Sequence, residues 1–208
     1  MTGAERGAAP RLWRITPTDH RVMPWKNGMG TTREIAIDPP GTAMADAGFR
    51  WRLSIADVGQ SGPFSAFPGI DRTIMVINGR GMVLTVAGEA PRRLDRCFEA
   101  FEFSGDRPAD CQLIDGPVQD FNLMVNRTIL ASEMEVRSLQ EACEIPLLGR
   151  ICLAHAFAGA VEISADSVNM ACGAGETAIA ESLDRTTTLR ISPRGTARIA
   201  LMLLNSVE

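Results

Sequence analysis

The sequence predicts an all-β protein of the sandwich or barrel type, and three observations support this fold class. Apolar residues occur in short segments, many of which alternate with polar residues as in a strand with one buried face. Glycine and proline recur at short intervals, with 19 Gly and 12 Pro among 208 residues, so turns are frequent. No apolar stripe with a period of 3.6 residues persists over the length of a helix. Many short strands joined by turns are typical of layered or closed all-β folds.

Ten segments have the composition of strands. They are 33–37, 51–56, 74–77, 82–86, 121–125, 134–139, 160–163, 178–181, 187–191 and 198–204. Asn78-Gly79, between the third and fourth of them, predicts a β-hairpin, because the favoured tight turn needs positive φ at both central positions. A short helical turn is predicted only at 138–143. Residues 1–10 are small and polar, which predicts a disordered tail, with order beginning near Leu12.

Composition and charge exclude several classes of protein. A content of 45% hydrophobic and 22% charged residues is ordinary for a globular domain. The net charge of -4 argues against a nucleic-acid surface, which needs a basic face. No segment approaches the roughly 18 apolar residues of a membrane span, so we expect a cytoplasmic protein without a membrane or nucleic-acid partner. Five cysteines with no C-x-x-C pair predict reduced, buried thiols.

The residues that usually hold metals or act as nucleophiles are scarce. His20 and His155 are the only histidines, too few for a histidine metal site, and we expect both to be structural. Cys97 beside Arg96 is the one thiol next to a cation, and we interpret this as incidental. The glycine-containing segment 28–32 precedes a predicted strand and not a helix, so it lacks the helix dipole of a phosphate loop. The sequence therefore predicts neither a metal nor another cofactor.

One residue stands out by its type. Twenty of the 21 basic residues are arginine, and the single lysine is Lys26, within the segment Met23-Pro24-Trp25-Lys26-Asn27-Gly28-Met29-Gly30. A lysine supplies a compact ammonium whose pKa burial can move, and the neighbouring Pro, Trp, Asn and Gly favour an ordered loop near a ligand. The alternative is that coding bias towards arginine leaves one lysine at an arbitrary place.

Polar and charged residues cluster in the first 130 positions. They are Lys26, Asn27, Arg33, Glu34, Arg52, Ser54, Ser65, Asp71, Arg72, Asp120, Asn122 and Arg127. Side chains at i and i+2 share one face of a strand, so Arg52 is placed with Ser54, and Asn122 with Met124. On an outer face these groups are merely solvated. On the inner face of a barrel they need partners, and the excess of cations then predicts an anionic ligand, above all a small carboxylate.

Several segments together resemble the HutD/Ves family. The matching motifs are Pro24-Trp25-Lys26-Asn27-Gly28, Thr32-Arg33-Glu34-Ile35, Trp51-Arg52-Leu53-Ser54-Ile55-Ala56, Gly62-Pro63-Phe64-Ser65-Ala66-Phe67-Pro68-Gly69 with Asp71-Arg72, Gly79-x-Gly81, and Gly116-Pro117-Val118-Gln119-Asp120-Phe121-Asn122-Leu123-Met124 with Arg127. The resemblance covers residues 24–127, and beyond about 145 it is limited to general β character. One departure is Met29, where the family usually has the second of three consecutive glycines.

The resemblance implies a bicupin, with two cupin-like β-barrel lobes packed as one unit, few short helices and no histidine metal ligands. We expect one unit over 11–208, with an N-terminal lobe at about 11–125 that holds the main pocket, a C-terminal lobe at about 126–208, and some shared strands. The family motifs and the pocket argument together give the ligand-binding candidates. These are Trp25, Lys26, Asn27, Arg33, Arg52, Ser54, Ser65, Arg72, Asn122 and Arg127.

Three functional hypotheses remain open. Family members are associated with bacterial histidine utilisation as a brake or sensor, which implies binding of a small anionic metabolite such as urocanate, N-formylglutamate or formiminoglutamate. The first alternative is a metal-independent isomerase or hydrolase in which Lys26 acts with Glu34 or Asp71. The second is a protein-interaction or stress-response protein whose charged residues form surface ion pairs. A homodimer through edge strands is also compatible with the sequence.

Overall fold

The computed structural model describes residues 10–25, 27–43, 48–147, 150–182 and 187–207. These residues form 19 strands, β1 to β19, and one 3-10 turn at Pro17–Asp19, which confirms the predicted all-β class. None of the helical structure in the described ranges has the length and hydropathy needed to cross a membrane. The chain divides into two compact units: Asp19–Ala131, with Val207, and the described residues up to Thr18 together with Ser132–Ser206.

The N-terminal unit consists of two antiparallel sheets. The larger has the order β2-β3-β4-β11-β6-β9 and the smaller the order β5-β10-β7-β8. The strands are β2 Arg21–Pro24, β3 Gly30–Asp38, β4 Trp51–Val58, β5 Gly62–Phe64, β6 Ile70–Asn78, β7 Met82–Val86, β8 Arg92–Leu94, β9 Phe101–Ser104, β10 Ala109–Leu113 and β11 Val118–Asn126. Sequence neighbours such as β10 and β11 lie in different sheets, so the chain passes repeatedly between the two layers.

Alternation along the strands builds the interior of this unit. Inward positions of β4 and β6, such as Ala56, Val58, Ile74 and Val76, pack in one apolar cluster with residues of the smaller sheet, including Leu84. Because side chains alternate between the two faces of a strand, Arg52 and Ser54 lie on the same inward face of β4 as Ala56. Burial of the apolar side chains in this cluster removes their surface from water, which stabilises the fold by roughly 25 cal/mol per Å² of apolar surface.

The C-terminal unit repeats the two-sheet plan. Its sheets have the orders β1-β17-β14-β19-β12 and β13-β18-β15-β16. The strands are β1 Arg11–Ile15, β12 Leu130–Leu139, β13 Cys143–Leu147, β14 Arg150–Ala158, β15 Ala160–Ala165, β16 Val168–Gly173, β17 Thr177–Ser182, β18 Thr187–Pro193 and β19 Ala197–Ser206. β1 comes from the start of the described chain and pairs with β17. The interior is apolar, as Cys152, Ala154, Val161, Ile191 and Leu201 illustrate.

Two local predictions are wrong. β6 and β7 belong to different sheets, so Asn78-Gly79 does not form a hairpin. The turn itself exists, with φ of 101° at both Gly79 and Gly81, but it carries the chain from one layer to the other. The predicted helical turn at 138–143 is also absent, because β12 continues to Leu139 and β13 begins at Cys143.

The close packing at Gly81, where the chain crosses between the two sheets, predicts that a larger side chain there destabilises the protein. Gly81→Ala should lower the free energy of unfolding by about 1–3 kcal/mol more than Gly116→Ala. Both glycines have positive φ, so both variants share the backbone strain of a left-handed alanine. A Cβ at Gly81 would lie 2.5 Å from the Leu94 carbonyl oxygen, whereas one at Gly116 would meet nothing within 4 Å. Urea denaturation of the two variants measures the difference, and equal destabilisation would contradict the packing argument.

The cysteines follow the prediction in part. Cys111, Cys152 and Cys172 are buried, whereas Cys143 is partly buried and Cys97 is exposed. Burial raises the pKa of Cys111 and Cys152 to about 12, so these thiols stay protonated and pack as small apolar side chains. The prediction of burial is wrong for Cys97, which lies in the connection between β8 and β9.

Candidate functional site

Buried charge is concentrated in the N-terminal unit. The buried charged side chains among the described residues are Glu34, Arg52, Arg72, Asp120 and Glu181. The first four belong to β3, β4, β6 and β11, which are adjacent in the larger sheet. Glu181 lies in the other unit, where Arg11 pairs with it from an exposed position. Four ionisable groups from four neighbouring strands are therefore buried in the N-terminal unit. We define the buried polar cluster as Glu34, Arg52, Ser54, Arg72, Asp120 and Asn122.

Arg52 and Glu34 form a buried ion pair at the centre of this cluster. The Arg52 Nε donates to Glu34 Oε2 at 2.7 Å, and the two side chains are only 3% and 9% exposed. Arg52 Nη1 also donates to Ser54 Oγ at 3.4 Å and lies 3.7 Å from the Met124 sulfur. A charge-assisted bond in a dry interior fixes both side chains, so the Arg52 guanidinium has one defined orientation.

Arg72 is held by aromatic rings rather than by a carboxylate. Its guanidinium carbon lies 5.4, 5.7 and 4.9 Å from the ring centres of Phe64, Phe67 and Phe103. Cation–π attraction partly replaces the lost hydration of a buried guanidinium. Burial lowers the pKa of Arg72 to about 10, with Asp120 opposing the shift and Arg52 adding to it. Arg72 therefore keeps its positive charge at neutral pH.

Asp120 and Asn122 follow one another on the inward face of β11. Asn122 pairs in register with Ser54 and Ile74, and Met124 pairs with Arg52 and Arg72 on the two flanking strands. Burial raises the pKa of Asp120 to about 7, against the opposing effect of Arg72 and with a further increase from Asp57. At neutral pH Asp120 is therefore divided between its protonated and ionised forms.

Four polar atoms of the cluster have no hydrogen-bond partner among the residues that the structure describes. Within the described parts of the chain, these are Arg52 Nη2, Arg72 Nε, Asp120 Oδ1 and Asn122 Oδ1. Buried polar groups are nearly always satisfied, and each unsatisfied one costs about 1–3 kcal/mol. Two of the atoms are donors on cations and two are acceptors on β11. The cluster is therefore complementary to a molecule that carries both acceptors and donors.

The cluster lies between two apolar regions of the same unit. Ile37, Phe49, Ile70 and Met124 form a small core beyond the arginines, with Phe67 packed against it. The larger apolar cluster, which includes Ile74, Val76 and Phe103, occupies the remaining interior. Apolar walls strengthen electrostatic interactions because they exclude water. A ligand in contact with Arg52 and Arg72 would be held in a medium of low polarity.

Two of the predicted ligand-binding arginines lie outside the cluster. Arg33 Nε is 3.6 Å from Asp57 Oδ2, and its side chain is 35% exposed. Arg127 bonds Asp71, Asp106 and the Ser104 hydroxyl on the exterior. Backbone and arginine hydrogen bonds hold the pKa of Asp106 at about 2. These contacts tie Arg127 to loops and strand ends of the N-terminal unit.

The remaining predicted residues lie at several places. Trp25 is partly buried, donates from Nε1 to Thr32 Oγ1 at 2.8 Å and meets the Phe64 ring edge to face at 6.5 Å. Asn27 and Ser65 are exposed. The prediction for Lys26 concerns a position outside the described residues. The structure thus brings Arg52, Ser54, Arg72 and Asn122 together.

The acids of the enzyme hypothesis are both engaged by arginines. Glu34 is bonded to Arg52 inside the unit, and Asp71 is bonded to Arg127 at a position where its side chain is 54% exposed. Alternation along β6 explains the separation, because Asp71 points away from the face that carries Arg72. The two carboxylates therefore lie in different environments, one buried and one exposed.

Met29 is accommodated without a left-handed backbone. Gly28 takes the positive φ of this loop, at 71°, and the described non-glycine residues with positive φ are Phe98 and Asp166. The Met29 amide donates to Asn27 Oδ1 at 3.1 Å, and the Met29 carbonyl accepts from the Gly59 amide at 2.9 Å. The departure from three consecutive glycines therefore leaves the loop closed by ordinary hydrogen bonds.

The cluster does not have the ligand set of a metal centre. No group of three or more His, Cys, Asp or Glu side chains converges in the part of the chain that the structure describes. His155 is buried in the other unit, with Nδ1 2.8 Å from Thr177 Oγ1. Two guanidiniums beside Glu34 and Asp120 would repel a cation. On electrostatic grounds these guanidiniums favour an anion over a cation.

A surface depression of about 470 Å³ occurs at the opposite end of β4 and β11. Its lining includes Met29, Asp57, Val58, Asn78 and Gln119. Asp57 is 44% exposed and already accepts a hydrogen bond from Gln119 Nε2 at 2.6 Å. None of the described residues that line this depression is both charged and buried, so the buried polar cluster is the stronger candidate for the functional site.

Sequence reasoning missed the aromatic and sulfur-containing neighbours of the cluster. Phe64 and Phe67 lie in the family motif at 62–69, from which only Ser65 was taken as a ligand-binding candidate, and Phe103 comes from β9, which was not predicted. Asp120 was in the polar set but not among the ligand-binding candidates. Its position two residues before Asn122 was the available signal, since both then share one face of the strand.

Structural comparison identifies the class of protein. The chain is similar to the Cupin 2 conserved barrel domain protein from Leptotrichia buccalis, with a TM-score of 0.53 and 10% identity over 85% of this chain and 89% of that chain. At this identity the similarity concerns the fold alone. Together with the two-sheet units, it shows a cupin-like all-β fold.

The family follows from the sequence. The HutD family model matches residues 17–200, and the chain therefore belongs to the HutD family. An uncharacterized 21.2 kDa protein in the hutC 3' region of Pseudomonas putida is 49% identical over 114 residues, covering 55% of this chain and 58% of the relative. Protein Ves of Cronobacter sakazakii is 36% identical over 122 residues, 57% and 64% of the two chains. The chain thus spans less than two thirds of either curated relative.

Solved structures of similar proteins extend over nearly the whole chain. The conserved protein of unknown function PA5104 from Pseudomonas aeruginosa PAO1 has a TM-score of 0.84 and 35% identity, covering 95% of this chain and 100% of that chain. HutD from Pseudomonas fluorescens SBW25 has a TM-score of 0.78 and 33% identity with the same coverage. The similarity therefore includes both units and is not confined to the residues 24–127 that carry the motifs.

Proposed function

We propose that this protein binds a small carboxylate metabolite of histidine degradation inside its N-terminal unit and thereby modulates histidine utilisation. The observation that carries the proposal is the pair of buried guanidiniums, Arg52 and Arg72, which flank Met124 and each keep an unpartnered donor. Arginine is suited to bind carboxylates because its planar donors match the two oxygens.

Charge balance supports an anionic ligand. Glu34 neutralises Arg52 through a 2.7 Å bond. Asp120 is the acid whose charge raises the pKa of Arg72 against burial. Burial in turn raises the pKa of Asp120 to about 7, so the cluster carries a partial positive charge at neutral pH. Uncompensated charge in an apolar interior is costly, and a bound carboxylate removes that cost.

The comparisons support the metabolic context. The P. putida relative is named for its position beside hutC, and the P. fluorescens neighbour is named HutD, in a formate condition. Urocanate, N-formylglutamate and formiminoglutamate each carry a carboxylate, and each is a candidate ligand. Formate is the smallest probe of the same chemistry.

Calorimetric titration tests the proposal. The wild type should bind at least one of urocanate, N-formylglutamate, formiminoglutamate, histidine and formate with micromolar affinity. Arg72→Met should weaken that binding about a hundredfold, because it removes one charged donor of a buried contact. Arg127→Met is the matched control, since that arginine serves an exterior network, and its affinity should stay within about threefold of the wild type. The absence of binding by all five compounds would refute the proposal.

The role of Lys26 is tested in the same titration. On the sequence argument that a single lysine marks the ligand loop, Lys26→Ala should also weaken binding, whereas Lys26→Arg should restore it only in part because an arginine cannot reproduce a compact ammonium. If Lys26→Ala binds with unchanged affinity, Lys26 does not contact the ligand and its position reflects coding bias. The buried polar cluster would then be the whole site.

A further inference from the structure

The two ends of the buried polar cluster differ in chemistry. Arg52 and Arg72 both pair in register with Met124, and the Arg52 guanidinium reaches Ser54 Oγ, whose residue pairs with Asn122. Acceptors on Asn122 and Asp120 follow at the next two inward positions of β11. Successive inward positions on a strand are about 7 Å apart, so the acceptors extend along β11 away from Met124, while the donors come from the flanking strands β4 and β6.

In the described part of the chain, no donor bonds the two acceptor atoms at the acceptor end of the cluster. Asp120 is 2% exposed and Asn122 is 7% exposed, and the Oδ1 atom of each lacks a protein partner among the described residues. The inward neighbours of Asp120 on the flanking strands are Ala56 and Val76, neither of which has a side-chain donor. A plain carboxylate bound by the arginines would leave both acceptors unsatisfied.

We infer that Asn122 and Asp120 select for a ligand that carries an N–H donor as well as its carboxylate. The inference rests on the proposed function and adds a ligand class to it: amide- or azole-bearing carboxylates. The carboxylate lies between the guanidiniums of Arg52 and Arg72, and the N–H group points along β11 towards the Oδ1 atoms. A ligand that lacks the N–H donor leaves a buried acceptor unpaired, and this weakens its binding. Polar sites discriminate strongly between isosteric ligands in this way.

Matched ligand pairs test this inference on the intact wild-type chain. The first pair is urocanate and 3-(3-furyl)acrylate. In the second compound a furan ring, which has one oxygen and no N–H group, replaces the imidazole. The second is N-formylglutamate and N-formyl-N-methylglutamate, in which a methyl group replaces the N–H hydrogen. In at least one pair the N–H compound should bind tenfold or more tightly by calorimetry. Equal affinity within both pairs overturns the inference and leaves the proposed carboxylate site intact.

Variants locate the discrimination on β11. Asn122→Leu, which keeps the approximate size but removes the acceptor, and Asp120→Leu should between them reduce the tenfold preference to about threefold or less. Arg72→Met should weaken both members of a pair alike and preserve their ratio. A preference that survives in both leucine variants overturns the inference, and failure of every compound to bind wild type overturns the proposed function together with it. The wild-type comparison remains decisive if a leucine variant does not fold.

Discussion

Replacing Arg52 with methionine is expected to lower the free energy of unfolding by about 3–5 kcal/mol. The change leaves the Glu34 side chain, which is 9% exposed, without the guanidinium that bonds it at 2.7 Å. Removing one member of a buried pair costs far more than the pair itself contributes, because the remaining charge has neither water nor a partner. Urea denaturation followed by circular dichroism measures the loss.

Two further variants separate this effect from lost packing. Glu34→Leu combined with Arg52→Met removes both charges, and the double variant should recover most of the stability that the single variant loses. Arg107→Met is the surface control, because its pairing with Glu89 is solvent-exposed and such pairs contribute about 1 kcal/mol or less. A single Arg52→Met variant as stable as the Arg107→Met variant would contradict the assignment of a dry interior.

Asp120 is expected to make the protein less stable as the pH rises from about 4 to about 7. Burial raises the pKa of Asp120 to about 7, whereas an aspartate in an unfolded chain titrates near 3.9. Between these values the folded state binds more protons than the unfolded state, so the free energy of unfolding falls with increasing pH. A shift of about three units corresponds to at most about 4 kcal/mol, fully lost above pH 7.

Asp120→Asn isolates this contribution. The variant cannot ionise at position 120, so its stability relative to the wild type should increase by up to about 4 kcal/mol between pH 4 and pH 8. Asp110→Asn, at an exposed position of β10, serves as the control and should show no comparable trend. Parallel stability curves for the wild type and Asp120→Asn would show that Asp120 titrates normally in the folded protein.

The fold was largely predictable because short apolar segments alternate clearly. The segment 82–86 corresponds to β7, and 74–77 lies within β6. β14 was missed because its centre, Ala154-His155-Ala156, lacks the β-branched residues that mark strands. The Asn-Gly turn was located correctly, but the partner sheet of each flanking strand depends on contacts distant in sequence, which a local turn signal does not contain.

The residue types of the candidate site were predictable from the sequence. The strand face on which each residue lies was less predictable. The i, i+2 rule correctly placed Arg52 with Ser54, because both are regular positions of β4. The same reasoning gave no means to separate Arg72, which points inward, from Arg127, which lies just beyond β11 and bonds exterior carboxylates. Whether a cation is buried depends on which face the opposite sheet covers, and that sheet comes from residues 62–113.

The position of β1 in its sheet has a consequence for synthesis on the ribosome. Arg11 pairs with Glu181, 170 residues later in the chain, so the pairing of β1 cannot form until β17 has emerged. The N-terminal unit is by contrast almost continuous, from Asp19 to Ala131. Because domains fold as units while synthesis proceeds, the unit with the buried charges is expected to form before β1 can pair with β17.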